Sequence, residues 1–132
     1  MVADPLTLPI TLEPSLAAPR EARRLLTTWL TANGCAHPLQ DDALVIVSEL
    51  VTNAVVHART RVTIVAKNAS DASGVNQVVR LEVHDAHSSV PGTTARSGSA
   101  GGRGLDIVAG LAERWGCDPT PQGKSVWAEI VC

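Results

Sequence analysis

The amino-acid sequence predicts an α/β two-layer sandwich: a mixed, mostly antiparallel sheet covered on one face by about three helices. Two observations carry the prediction. Segments that alternate apolar with polar residues, at 6–13, 61–66, 78–84 and 125–131, are interleaved with segments whose apolar residues recur at i, i+3, i+4 and i+7, in the order β-α-α-β-β-α-β-β. The 132 residues are also enough for one continuous core and too few for two ordinary domains, so 1–132 reads as a single domain.

The first strand is expected over 6–13, with Pro9 suiting an edge position because it removes a ladder donor. Pro19 then fits the first turn of a helix whose Ala22, Leu25, Leu26, Trp29 and Leu30 form one stripe, and Gly34 ends it. Pro38 opens a second helix, expected to reach about Ala58, with Asp41 and Asp42 near its positive end and Ala43, Val47, Leu50 and Ala54 as its core stripe. Strands at 61–66 and 78–85 flank a polar loop at 67–76 and read as an antiparallel pair. From Ala86 to Gly102 the chain is poor in large side chains, which suggests a lid or binding segment. A third helix, starting near Gly102, carries Leu105, Ile107, Val108, Leu111 and Ala112. A short strand at 115–118, a turn at 119–123 and a last strand at 125–131, with Val126, Ala128 and Ile130 on one face, complete the chain.

Composition excludes several functions. The formal charge is −2 and the Arg residues are scattered apart from Arg20, Arg23 and Arg24, so a nucleic-acid footprint is not expected. Phe and Tyr are absent, which leaves little for base stacking. Cys35, Cys117 and Cys132 are odd in number and far apart, so neither a disulfide framework nor a zinc site is indicated, and a reducing cytoplasm is the natural setting. No membrane segment is expected, because the most apolar stretch, 43–56, is interrupted by Ser48, Glu49, Thr52 and Asn53.

Chemistry concentrates in three places. Glu49, Asn53 and His57 are four residues apart and drift only about 40° per step around a helix, so they form a polar stripe beside the core stripe. Burying such groups without partners costs about 2 kcal/mol or more, and a boundary position is where a cleft would be. The run from Ser97 to Leu105, rich in Gly, leads into the third helix and could present backbone N–H groups and Arg103 to an anion such as phosphate. Asp85 ends a buried-type strand, where a carboxylate needs a partner and could accept a purine amino group. Asn53 could offer an oxygen to Mg²⁺, and Glu49, one turn earlier, could take a proton from an attacking hydroxyl. A metal cluster of His57, His84 and His87 is a weaker reading than ordinary helix-face and loop-edge histidines.

Taken together, Glu49xxxAsn53xxxHis57, Asp85 with Pro91 six residues on, Gly102-Arg103-Gly104-Leu105 and Gly123-Lys124-Ser125-Val126-Trp127 resemble the N, G1, G2 and final Gly-Thr boxes of the GHKL ATPases. Within these, the chain is similar to the compact anti-sigma factor serine/threonine kinases over residues 15 to 131. The resemblance implies a Bergerat-type sandwich holding ATP and Mg²⁺ between the second helix, the lid and the third helix. In that likeness Asn53 holds Mg²⁺, His57 belongs to the nucleotide site, Glu49 is the catalytic base and Asp85 binds the adenine amino group. Gly102, Arg103, Gly104 and Leu105 hold the phosphates, and Ser125 supplies the hydroxyl near adenine. The implied partners are a sigma factor, a small anti-sigma antagonist as phosphorylation substrate, and a second copy in a homodimer. The chain departs from the pattern at His87, where many relatives carry Gly, and at Lys124-Ser125, where relatives show Thr after Gly. These departures favour a second reading, a regulatory module that binds nucleotide poorly and sequesters a protein, whereas Glu49 and Asn53 favour the enzyme.

Overall fold

The computed structural model describes residues 10–35, 37–70, 74, 77–87 and 100–132. Strands β1 (Ile10–Leu12), β2 (Val62–Ser70), β3 (Gln77–Asp85), β4 (Arg114–Pro119) and β5 (Lys124–Val131) form one sheet in the order β1-β2-β3-β5-β4. Helices α1 (Ala18–Ala32), α2 (His37–Asn53) and α3 (Ala100–Leu111) complete the fold. All four neighbouring strand pairs are antiparallel, so the sheet expected to be mostly antiparallel is antiparallel throughout. The reason is topological. Strands β3 and β4 run in the same direction, as a crossover through α3 requires, but β5 folds back between them and takes both edges.

Alternation along each strand divides the sheet into two faces. Ile64, Ala66, Val79, Leu81, Val83, Val126, Ala128 and Ile130 are buried on one of them. Opposite them α1 buries Ala22, Leu26, Trp29 and Leu30, and α2 buries Ala43, Ile46, Val47, Leu50 and Val51. The two stripes read from sequence are therefore the faces that pack, and Leu105 and Val108 of α3 close the same core.

Several boundaries differ from the expectation. Residues 6–9 of the expected first strand lie outside the described residues, as does most of the segment expected to form a lid. The β2 strand runs on to Ser70 because Lys67, Asn68 and Ala69 pair with Arg80, Val79 and Val78. Helix α3 starts at Ala100, which puts the glycines at 101, 102 and 104 inside its first turns rather than ahead of them.

Cys35 and Cys132 are joined by a disulfide, with Cα atoms 5.1 Å apart across 97 residues of sequence. This overturns the expectation of unpaired cysteines, and with it the cysteine argument for a reducing compartment. Sequence distance concealed the pair because the end of α1, the β2–β3 hairpin and the end of β5 converge. The Cys132 N–H donates to the Gln77 carbonyl (2.9 Å), and Asn68 donates to the Asn33 side chain (2.7 Å). Among the described residues no helix is long and apolar enough to cross a membrane.

Candidate functional site

Glu49 and Asn53 lie one turn apart at the C-terminal end of α2, each half-buried. Among the described residues neither makes a side-chain hydrogen bond or ion pair. Beyond Asn53 the helix widens into a π turn, Ala54–Ala58, in which the Arg59 N–H donates to the carbonyl of Ala54, five residues back (3.1 Å). Arg59 then adopts a left-handed φ of 56° and ends the helix. The wider turn carries His57 off the line, and it is exposed. The stripe expected to run through His57 therefore stops at Asn53.

The end of this helix meets the end of β3. The π turn packs on β3, and just beyond it the Ala86 N–H donates to Thr60 Oγ1 (3.0 Å). Asp85 is the last residue of β3 and its side chain is 2 % exposed. It faces the helices, in line with Val83, as alternation requires. The β4–β5 turn reaches the same place. A Cβ on Gly123 would lie 2.1 Å from the Asp85 carbonyl oxygen and 2.7 Å from Ala86, so only Gly lets this turn rest on the strand end.

Lys124, unassigned in the sequence reading, partners Asp85. Its Nζ lies 2.9 Å and 3.0 Å from the two carboxylate oxygens and 3.4 Å from the His87 carbonyl. Asp85 Oδ1 also accepts the His87 N–H at 2.8 Å. The carboxylate predicted to need a partner has one, and it is a buried ammonium. Ser125 is on the other face of β5, with its hydroxyl 3.4 Å from His84 Nε2, so it does not join Asp85.

Helix α3 packs against α2, and Leu105 is buried in the shared core. The structure thus gathers the end of α2, Asp85 and the Gly123 turn, and leaves His57 and Ser125 outside that group.

The opposite sheet face, which no described helix covers, carries a ladder of charges. Arg80 pairs with Glu82 (2.8 Å) and Glu129 (3.2 Å), Arg114 with Glu129 (2.7 Å), Lys67 with Glu82 (3.5 Å) and His84 with Glu82 (2.9 Å). The Arg80 guanidinium sits 4.2 Å from the Trp127 ring centroid. Burial raises the Glu82 pKa, but hydrogen bonds from Arg80 and His84 and the charges of Lys67 and Arg80 outweigh it, and the carboxyl titrates at about 2. A groove of about 640 Å³ lies on this face, lined in part by Thr63, Lys67, Glu82 and His84, and it reaches Asp85 and Ala86 at the end of β3. Within it Lys67 and His84 are each paired with Glu82.

The model of the histidine kinase-like ATPase domain matches residues 12–130. The chain belongs to the histidine kinase-like ATPase family. No curated protein sequence matches it significantly. Among solved structures, this histidine kinase-like ATPase domain is similar to the crystal structure of the RsbU and RsbW domains of Rv1364c from Mycobacterium tuberculosis. That likeness has a TM-score of 0.62 at 21% identity and covers 96% of this chain. The domain spans about a third of that chain (33%), and at this identity the likeness establishes the shared fold.

Proposed function

We propose that this chain is an ATP-dependent protein serine/threonine kinase of the anti-sigma type, binding ATP with Mg²⁺ at the end of the sheet where α2 meets Asp85. Membership of the ATPase family supports nucleotide binding. The observation that carries the reading is the pair Glu49 and Asn53: two half-buried polar side chains, one turn apart and without partners among the described residues, beside a strand that ends in a buried carboxylate.

In this reading Asn53 Oδ1 holds Mg²⁺, whose chemistry when bound is to neutralise phosphate charge. The Asn53 carboxamide, which has no hydrogen-bond partner among the described residues, fits that role. Glu49, one turn back, accepts the proton of the substrate hydroxyl. Asp85 faces the base. A 12-residue α3 is about 18 Å long, about the span from the level of Arg80 to that of Asp85 along β3. Its C-terminus leads into β4 beside Glu129, so its N-terminal amides, among glycines that let a ligand approach, belong at the Asp85 end and suit phosphate. Gly102, Arg103, Gly104 and Leu105 are assigned there, while His57 and Ser125 take second place. The protein partners are a sigma factor, held by binding, and a small antagonist, which receives the phosphoryl group. A homodimer and a cytoplasmic setting belong to the same proposal.

Incubation with labelled ATP, Mg²⁺ and candidate antagonist proteins tests the reading. Label is expected on an antagonist Ser or Thr, and Glu49→Ala should lower its rate by about 100-fold or more while ATP binding persists. Equal transfer by both proteins would remove Glu49 from the mechanism. A second reading, a sequestering module with weak nucleotide binding, is favoured by one observation, the Lys124 ammonium on the Asp85 carboxylate. Antagonist or sigma-factor binding without any transfer would support it.

A further inference from the structure

We propose that Lys124 competes with the nucleotide base for the Asp85 carboxylate, so that the site discriminates weakly between purines and draws most of its affinity from the phosphates. The inference rests on the reading of Asp85 as the group that faces the base.

Lys124 is on the inward face of β5, in line with Val126, Ala128 and Ile130, so its side chain is 6 % exposed. The ammonium spans the carboxylate, 3.0 Å from Oδ1 and 2.9 Å from Oδ2, and so takes a lone pair on each oxygen. Oδ1 has a second donor in the His87 N–H, which leaves one lone pair on Oδ2. A 6-amino group must therefore bond to a carboxylate whose charge is already neutralised, or displace the ammonium. Displacement strands a buried cation, which costs more than one amino hydrogen bond returns. The contact to the His87 carbonyl (3.4 Å) also ties the segment leaving β3 to the same ammonium. A hydroxyl side chain at position 124 could not neutralise Asp85 and would leave it free to read the base.

Equilibrium binding of labelled ATP and ITP, which carries a 6-oxo in place of the 6-amino group, tests this on wild type, Lys124→Thr and Lys124→Met, with circular dichroism checking the fold. Wild type should bind the two nucleotides within about threefold of each other, and each folded variant should bind ATP about tenfold tighter and prefer it to ITP about tenfold, the worth of one hydrogen bond to a charged group. Wild type already preferring ATP tenfold would overturn the proposal without any variant. So would folded variants that bind ATP no more tightly than wild type. If no protein binds either nucleotide at millimolar concentration, it is the nucleotide reading itself that fails.

Discussion

At Gly123 one hydrogen atom decides whether the β4–β5 turn can rest on the end of β3. A methyl there would press against the Asp85 carbonyl at 2.1 Å, a backbone atom that cannot rotate away. Gly123→Ala should cost about 2–3 kcal/mol, read as a lower urea midpoint, because overpacking forces the strand end to move. An unchanged midpoint would mean that the turn is free to shift. Legibility at this scale was uneven. The need of Asp85 for a partner could be read from its place at a buried strand end. Lys124 was within reach of the same logic, since a face defined by Val126, Ala128 and Ile130 continues inward to position 124 and leaves Ser125 outward. The resemblance to a Gly-Thr box drew the expectation to the hydroxyl of Ser125 instead. Which residue lies opposite Asp85 depends on the β3–β5 register, and that is set by tertiary pairing.

The elements themselves were legible because their periods are strong. Helix α2 buries the stripe that its sequence shows, and the four longer strands appear within a few residues of their expected bounds. Two features were not. The π turn after Asn53 depends on bonding five residues back, which an i+3/i+4 pattern does not reveal, and it leaves His57 exposed. The charge ladder on the face that no described helix covers assembles residues from β2, β3, β4 and β5 that alternation alone could not pair. That ladder makes stability depend on pH. Glu82 titrates at about 2 when folded, against an ordinary 4.5. Its folded value is the lower one, so the ionised carboxylate stabilises the fold above pH 4.5, and this contribution is lost as pH falls towards 2. The urea midpoint of wild type should therefore drop between pH 7 and pH 3. Glu82→Gln should lower the midpoint at pH 7 and narrow the drop; an equal drop in both proteins would place the acid sensitivity elsewhere.

Across the whole molecule, Cys35–Cys132 closes a loop of 97 residues and joins the end of α1 to the end of the last strand. Loop-closure entropy gives such a bond about 5 kcal/mol as an upper figure. A reducing agent should lower the melting temperature of wild type and leave Cys132→Ser unmoved; identical behaviour would show that the bond contributes nothing. The global architecture was readable from element order, apart from the insertion of β5 between β3 and β4, which no local signal specifies.

The central claim is that the end of α2 and the buried carboxylate of β3 serve one nucleotide, and thermal melting with Mg²⁺ and ATP tests it most directly. With nucleotide at several times its Kd, the folded state should gain about 1 kcal/mol and the melting temperature should rise by about 3 °C, a shift that Asn53→Ala abolishes. A wild-type curve unmoved at about 10 mM Mg·ATP, or a shift of the same size in Asn53→Ala, would contradict it.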